Sequence, residues 1–200
     1  ARVIGSHVGN TTAFQGSVVL DATTGGANAF DGPFYRQRSP LERIDDVEVP
    51  TFLVGGWFDL FQRGTPMLFQ RLQENRVPSK LIEGPWYHIT AGQGLPAEGM
   101  PWNLDELELR WMDRYVRGVN DPDLDRDVAP MSYFENGSGT WLKVDDYPSK
   151  DTESLALKLS GAAAPGTPGT LTTGAATDGA DTLVANPATG ACSRSTAQWT

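Results

Sequence analysis

The sequence predicts an α/β fold, and three observations carry that prediction. An apolar run, Val49-Pro-Thr-Phe-Leu-Val-Gly-Gly56, ends on glycines as a buried parallel strand does. A helical segment follows it, and Lys80-Leu-Ile-Glu-Gly84 supplies a second strand, so that the three make a βαβ unit, normally right-handed. The composition is that of a core-forming chain, with 39% of 200 residues hydrophobic and six of them Trp.

Each element follows from its local residues. Thr65 is placed as an N-cap with Pro66 at the first helical position; Met67, Leu68, Phe69 and Leu72 supply the apolar face, and Pro78 ends the segment. A second helix is expected from about Asn103 to Arg117. Asp105 and Glu106 stand in its first turn, Arg114 and Arg117 in its last, and Gly118 is the C-cap. Leu104, Leu107, Trp111 and Tyr115 share one face with Met112 beside them, so this helix is expected to pack on the sheet. The stretch from Gly118 to Asp127 is rich in turn formers and acids, and residues 119–127 read as a linker. Asp121, Asp123, Asp125 and Asp127 alternate as in a calcium loop, but Arg126 stands where a glycine is needed and Ser132 where a bidentate Glu is needed. A solvated linker is the expectation there. Pro130-Met-Ser-Tyr-Phe-Glu135, the turn Gly137-Ser-Gly139 and Trp141-Leu-Lys-Val144 form an antiparallel hairpin, with which an all-β part is expected to begin. From Asp151 onward Ala, Thr and Gly exceed half of the residues, and Ser154–Leu159 and Asp181–Ala185 read as strands.

Charge and cysteine count exclude several classes of function. A net charge of −9 argues against a phosphate-tracking surface, so nucleic acid is not an expected partner. No apolar run approaches the roughly 20 residues of a membrane-spanning helix. One cysteine, Cys192, leaves no internal disulfide framework and no multi-cysteine zinc site, and it is read as a small core residue. Two histidines, His7 and His88, leave little room for a metal cluster; no metal or cofactor is expected. Sparse Lys, abundant Thr, Ala and Gly, and a lone cysteine with no internal partner point toward an exported rather than a cytoplasmic protein.

Groups that perform chemistry in a βαβ unit emerge at the carboxyl ends of the strands. Asp59 follows the first strand and His88 the second, 29 residues later, which suits a carboxylate that orients an imidazole and stabilises its protonated form. By spacing alone, a turn-capping Asp and a structural His fit these positions as well. Trp57, Phe58, Trp86 and Tyr87 flank the pair, and either line an acyl pocket or pack in the core or at a domain interface. Arg36 and Arg38 read as members of structural ion pairs rather than as substrate contacts, and His7 lies in no motif.

Five local words raise the specificity of this reading. Phe34-Tyr-Arg-Gln-Arg-Ser-Pro40, Val54-Gly-Gly-Trp-Phe-Asp59, Gly84-Pro-Trp-Tyr-His88, Leu109-Arg-Trp-Met-Asp-Arg-Tyr-Val-Arg-Gly118 and Trp141-Leu-Lys-Val-Asp-Asp-Tyr-Pro148 occur in one order. Over about residues 30–150 the chain resembles the cocaine-esterase-like serine hydrolases, grouped with the bacterial X-Pro dipeptidyl-peptidases of S15 type. The resemblance implies the C-terminal portion of an α/β-hydrolase fold followed by the beginning of a jelly-roll β-sandwich. It divides the chain into the end of a cap or insertion (1–45), the back of the hydrolase domain (46–118), the linker (119–127) and the start of the β-domain (128–200). It also implies a Ser-Asp-His triad in which Asp59 is the acid, with Phe58 where Tyr is common, and His88 is the base.

The third member of such a triad stands in a Gly-x-Ser-x-Gly elbow upstream of the acid. Gly5-Ser-His-Val-Gly9 has its serine one place early, Gly137-Ser138-Gly139 lies downstream of His88, and Cys192 is followed by Arg194 where the closing glycine belongs. The nucleophile and the early oxyanion-hole donor are therefore expected outside these residues, and the chain by itself is expected to be inactive. The first residues, Ala-Arg-Val, and the last, Gln-Trp-Thr, carry no signal of a natural start or stop, so a fragment is expected rather than a degenerate homologue. The substrate classes implied are small esters or acyl amides, and peptides with proline second from the amino end. The competing reading is a non-catalytic module that binds a peptide or glycan on a hydrolase-like scaffold.

Overall fold

A computed structural model of the chain describes residues 2–162, 164 and 168–182. It divides into two compact units, residues 1–150 and 151–200.

The first unit is a mixed α/β layer structure. After helices α1 (Arg2–Thr24) and α2 (Pro33–Arg36), the chain runs through β1 (Thr51–Gly56), α3 (Gly64–Glu74), β2 (Ser79–Gly84), α4 (Leu104–Tyr115), α5 (Leu124–Asp127), β3 (Met131–Glu135) and β4 (Thr140–Val144). The sheet order is β1-β2-β3-β4; β1 and β3 run parallel to β2, and β4 returns antiparallel to β3. The strand–helix–strand order stands as the sequence predicts, with the first strand shortened to Thr51–Gly56 and the second begun one residue earlier at Ser79; α3 starts at Gly64, two residues before Pro66, so Thr65 lies inside the helix and is not its N-cap.

Alternation along the strands sorts the side chains onto two faces. Leu53, Leu81, Met131 and Tyr133 meet Phe69 of α3 on one face. Phe52, Val54 and Ile82 meet Leu107 and Trp111 of α4 on the other, where Trp86, Met100, Leu124 and Val128 complete the core. Helix α4 begins in a reciprocal cap: Asn103 Oδ1 accepts from the Glu106 N–H at 2.7 Å, and the Glu106 carboxylate accepts from the Asn103 N–H at 3.4 Å. Gly118, three residues beyond α4, has φ +69, a left-handed conformation that turns the chain away.

Several expectations need correction. The hairpin β3–β4 does not open a separate all-β part, because β3 pairs with β2 through Leu81↔Met131, Ile82↔Ser132 and Glu83↔Tyr133. The division of the chain accordingly falls after Lys150, not within 119–127. The acids of that segment are also not a solvated linker. Asp121 and Asp127 both bind Arg110, Asp125 binds Arg114 and the buried Lys80, and Asp123 binds Arg126. Periodicity reports apolar faces only, so a seam built from alternating Asp and helix-borne Arg reads as polar turn. The opening residues form α1, which ends before Gly25, φ +74, with Phe14 stacked 5.9 Å from Phe34. Among the described residues Arg38 has no ion pair; it lies 3.9 Å over the Phe34 ring and donates to the Phe34 carbonyl.

In the second unit β5 (Lys158–Ser160) pairs antiparallel with β6 (Thr170–Thr172). The strand expected over Ser154–Leu159 is thus confined to its end. Asp181 and Thr182 are not in a strand, and residues 183–185 and Cys192 lie outside the described residues.

Arg110 holds the acidic seam together: its Nε and Nη2 donate to Asp121 at 2.6 and 3.0 Å, its Nη1 to Asp127 at 3.1 Å, and its guanidinium lies 4.8 Å over the Trp102 ring. Arg110→Ala leaves two carboxylates without their shared cation and is expected to cost about 2–3 kcal/mol in urea unfolding. Arg110→Lys should recover less than half of that loss, because an ammonium cannot reproduce the planar fork.

Candidate active site

The site is built where β1 and β2 end side by side. Beyond the last paired residues, Gly56 and Gly84, the Trp57 N–H donates to the Gly84 carbonyl at 2.9 Å and the Phe58 N–H to the Trp86 carbonyl at 3.1 Å. The two chains therefore stay joined past the sheet edge. Gly84 is required there, since a Cβ would fall within the Trp86 indole that folds back over it. Asp59 then closes a turn onto the Gly56 carbonyl, while its Oδ1 accepts from the Phe61 N–H at 2.8 Å. That side-chain turn orients the carboxylate. On the other chain Tyr87 and Thr90 cap the short turn that His88 begins: the Tyr87 N–H donates to Thr90 Oγ1 at 2.9 Å.

These two turns bring His88 Nδ1 to 3.0 Å from Asp59 Oδ2. The Asp59 side chain is 15% exposed and that of His88 56% exposed, so the carboxylate sits behind the ring and the ring faces outward. The Phe61 N–H, and with it the His88 ring, holds the Asp59 carboxyl below the usual carboxylate range against the opposing effect of burial. An ionised Asp59 selects the tautomer with hydrogen on Nδ1, which leaves Nε2 as the basic nitrogen. The arrangement can hold an imidazole in orientation and stabilise it when it takes up a proton.

The four flanking aromatics separate into two kinds. Trp86 is 2% exposed in the core, with its Nε1 donating to the Gln93 carbonyl at 2.6 Å, and Trp57 donates to the Phe134 carbonyl at 2.6 Å while meeting the Tyr133 ring edge-on. Both indoles have their N–H groups bound to backbone carbonyls, which agrees with the packing alternative for these two residues. Phe58 and Tyr87 are exposed, with rings 5.6 Å apart. An apolar groove of about 680 Å³ between Val49–Val54 and α4 is lined by neither Asp59 nor His88. Among the described residues no group of three or more His, Cys, Asp or Glu is placed to hold a metal ion.

Two residues near the site escape a reading by motif. Phe61, whose N–H orients Asp59, also sets its ring edge-on to His88 at 5.2 Å. Its signal is position, two residues beyond an Asp in a turn. Glu83 is fully buried on β2, and among the described residues neither of its oxygens has a hydrogen-bond partner. Its signal is an acid inside an apolar strand. Its carboxyl lies against Gly55, where any Cβ would strike it. Burial, reinforced by the charge of Asp59, pushes its pKa from 4.5 up to about 8.

The raised value has a definite sign for stability. Between about 4.5 and 8 the folded chain keeps a proton on Glu83 that the unfolded chain releases, so stability falls as pH rises through that window. Glu83→Gln keeps the shape without the proton. Its melting temperature relative to the unsubstituted chain should rise by roughly 3 °C or more between pH 5 and pH 8; a gap independent of pH would show that Glu83 titrates normally.

Comparison with known proteins agrees with the local words. The profile of the X-Pro dipeptidyl-peptidase (S15 family) matches residues 23–90, a span that contains both Asp59 and His88. A cocaine esterase of Rhodococcus sp. (strain MB1 Bresler) is 28% identical over 161 residues, a match that covers 75% of this chain and 28% of that enzyme. The chain thus spans little more than a quarter of the length of this relative. The mixed sheet with helices on both faces fits part of an α/β-hydrolase-like fold, and the two matches together support assigning the chain to the cocaine-esterase-like group of the S15 family, whose members are hydrolases of esterase or peptidase type.

Proposed function

We propose that these 200 residues supply the acid and the base of a serine hydrolase that cleaves an ester or amide acyl bond. The observation that carries this reading is the 3.0 Å contact between His88 Nδ1 and Asp59 Oδ2 at the ends of adjacent parallel strands. Nε2 of His88 removes the proton from a serine hydroxyl as the serine oxygen bonds to the acyl carbon. The same proton then goes to the departing alcohol or amine as its bond to that carbon breaks. Water repeats the sequence to release the acid, and Asp59 fixes the ring and stabilises the imidazolium at each stage.

The serine comes from a part of the polypeptide outside these residues. Three facts support that placement: no Gly-x-Ser-x-Gly elbow precedes Asp59, the match covers 28% of the related esterase, and the outer edge of β1 has no partner strand among the described residues. Open edges of parallel sheets are normally covered. In this reading residues 1–45 close a cap, and the β5–β6 pair begins the jelly-roll domain. The substrates are small esters, as the name of the related esterase suggests, acyl amides cleaved by the same chemistry, or peptides with proline second from the amino end, as the family name suggests. The exposed Phe58–Tyr87 pair is the surface on which an apolar acyl group would rest.

A fluorophosphonate probe tests the reading on the polypeptide that includes the upstream elbow and on the 200 residues alone. Labelling is expected only in the longer chain, and its rate should fall by about 10²–10⁴ in Asp59→Asn and in His88→Ala. Labelling of the short chain, or unchanged rates in both variants, would overturn it. A longer chain that holds the elbow yet never labels would leave the binding-module reading in its place.

A further inference from the structure

Glu83 is an acid in a place where packing alone calls for an aliphatic residue. Leu81, on the same face of β2, is fully buried against Phe69, and Glu83 continues that face toward the strand end. Every element around Glu83 leaves it without a countercharge. On β1 its neighbour in register is Gly55, and on β3 it is Tyr133. The first seven residues of α3, 64–70, bring no ionisable side chain, and Arg63 before them is exposed. The charged group that bears on it is Asp59, from the turn after β1. Two neighbouring carboxyl groups are thus held in opposite states. Asp59 has the Phe61 N–H and His88 to stabilise its charge, whereas both Glu83 oxygens are buried without partners. Environments that separate two carboxyl groups in this way mark working acid–base sites.

We propose that Glu83 is a positioning residue for the Asp59–His88 pair: its neutral carboxyl fills the space against Gly55 at the strand ends and leaves Asp59 as the one carboxylate facing the imidazole. This rests on the acid–base reading of that pair. Among the described residues Glu83 has no hydrogen-bond donor, so when ionised it must draw in water or leave, and either movement disturbs the strand backbone at Gly55 and Gly84, beside the points where both site turns begin. The neutral form is favoured up to about pH 8, so the arrangement holds at neutral pH and fails in base.

The test is the pH dependence of kcat/KM in the polypeptide that carries the nucleophile. Ionisation of a group with a pKa of about 8 predicts a fall of about tenfold between pH 7 and pH 9. In Glu83→Gln, which cannot ionise, the ratio of kcat/KM at pH 9 to that at pH 7 should be about tenfold higher than in the unsubstituted enzyme. The same alkaline fall in Glu83→Gln would overturn the proposal. A carbon-13 titration of the 200-residue chain gives a second measurement independent of turnover. The Glu83 carboxyl should shift near pH 8, with a matching step at the Asp59 carboxyl and the His88 ring, and a single step near pH 4.5 would overturn it. The failures remain distinct. Retained activity in Asp59→Asn and His88→Ala removes the acid–base reading itself, whereas their loss beside an unaltered Glu83→Gln profile removes only the role of Glu83.

Discussion

The structure depends most on the parallel register of β1 and β2, in which Thr51 faces Ser79 and Gly56 faces Gly84. Six consecutive pairs bring both strands to an end at the same height. Since side chains alternate strictly, a slip of β1 by one residue would turn Leu53 away from α3 and toward α4 while Leu81 stayed in place. It would also carry Asp59 and His88 past one another. Burial of Phe69 on one face and Trp111 on the other therefore fixes the geometry of a pair of side chains that neither of them touches.

From that register the site follows by backbone contacts. Glycine at 56 and at 84 lets the two chains run on together beyond the sheet, and Trp86 can then fold back over Gly84 into the core. Each emerging turn is stabilised by its own short-range hydrogen bonds, through Asp59 to Phe61 and through Tyr87 to Thr90. A pair assembled from two separately stabilised turns on one rigid base has little conformational freedom left to lose, which is the form of preorganisation that the proposed acyl transfer needs.

The acidic segment after α4 serves the same base from beneath. Its Asp residues hold Arg110 and Arg114 of α4, and Lys80 of β2 donates to the Val128 carbonyl and pairs with Asp125 at 3.2 Å. The chain thus passes from α4 into β3 along a seam of ion pairs and extends the sheet by a third and a fourth strand. Alternating Asp residues with no apolar period look like a solvated connection until the arginines of the preceding helix are placed opposite them.

The sequence by itself determined the βαβ unit, the amphipathic α4, the β3–β4 hairpin and the candidacy of Asp59 and His88. These are carried by local signals: apolar runs bounded by glycine and proline, capping residues, and short words such as Gly84-Pro-Trp-Tyr-His88. Tertiary structure alone decided that the hairpin joins the parallel sheet, that the Trp57 and Trp86 N–H groups bind backbone carbonyls while Phe58 and Tyr87 remain exposed, and that Glu83 is shut away from solvent. The physical reason is common to all three. Strand partnership, the fate of an indole N–H and the desolvation of a carboxyl depend on what approaches from a distant part of the chain, and a linear pattern of residue types contains no such distance.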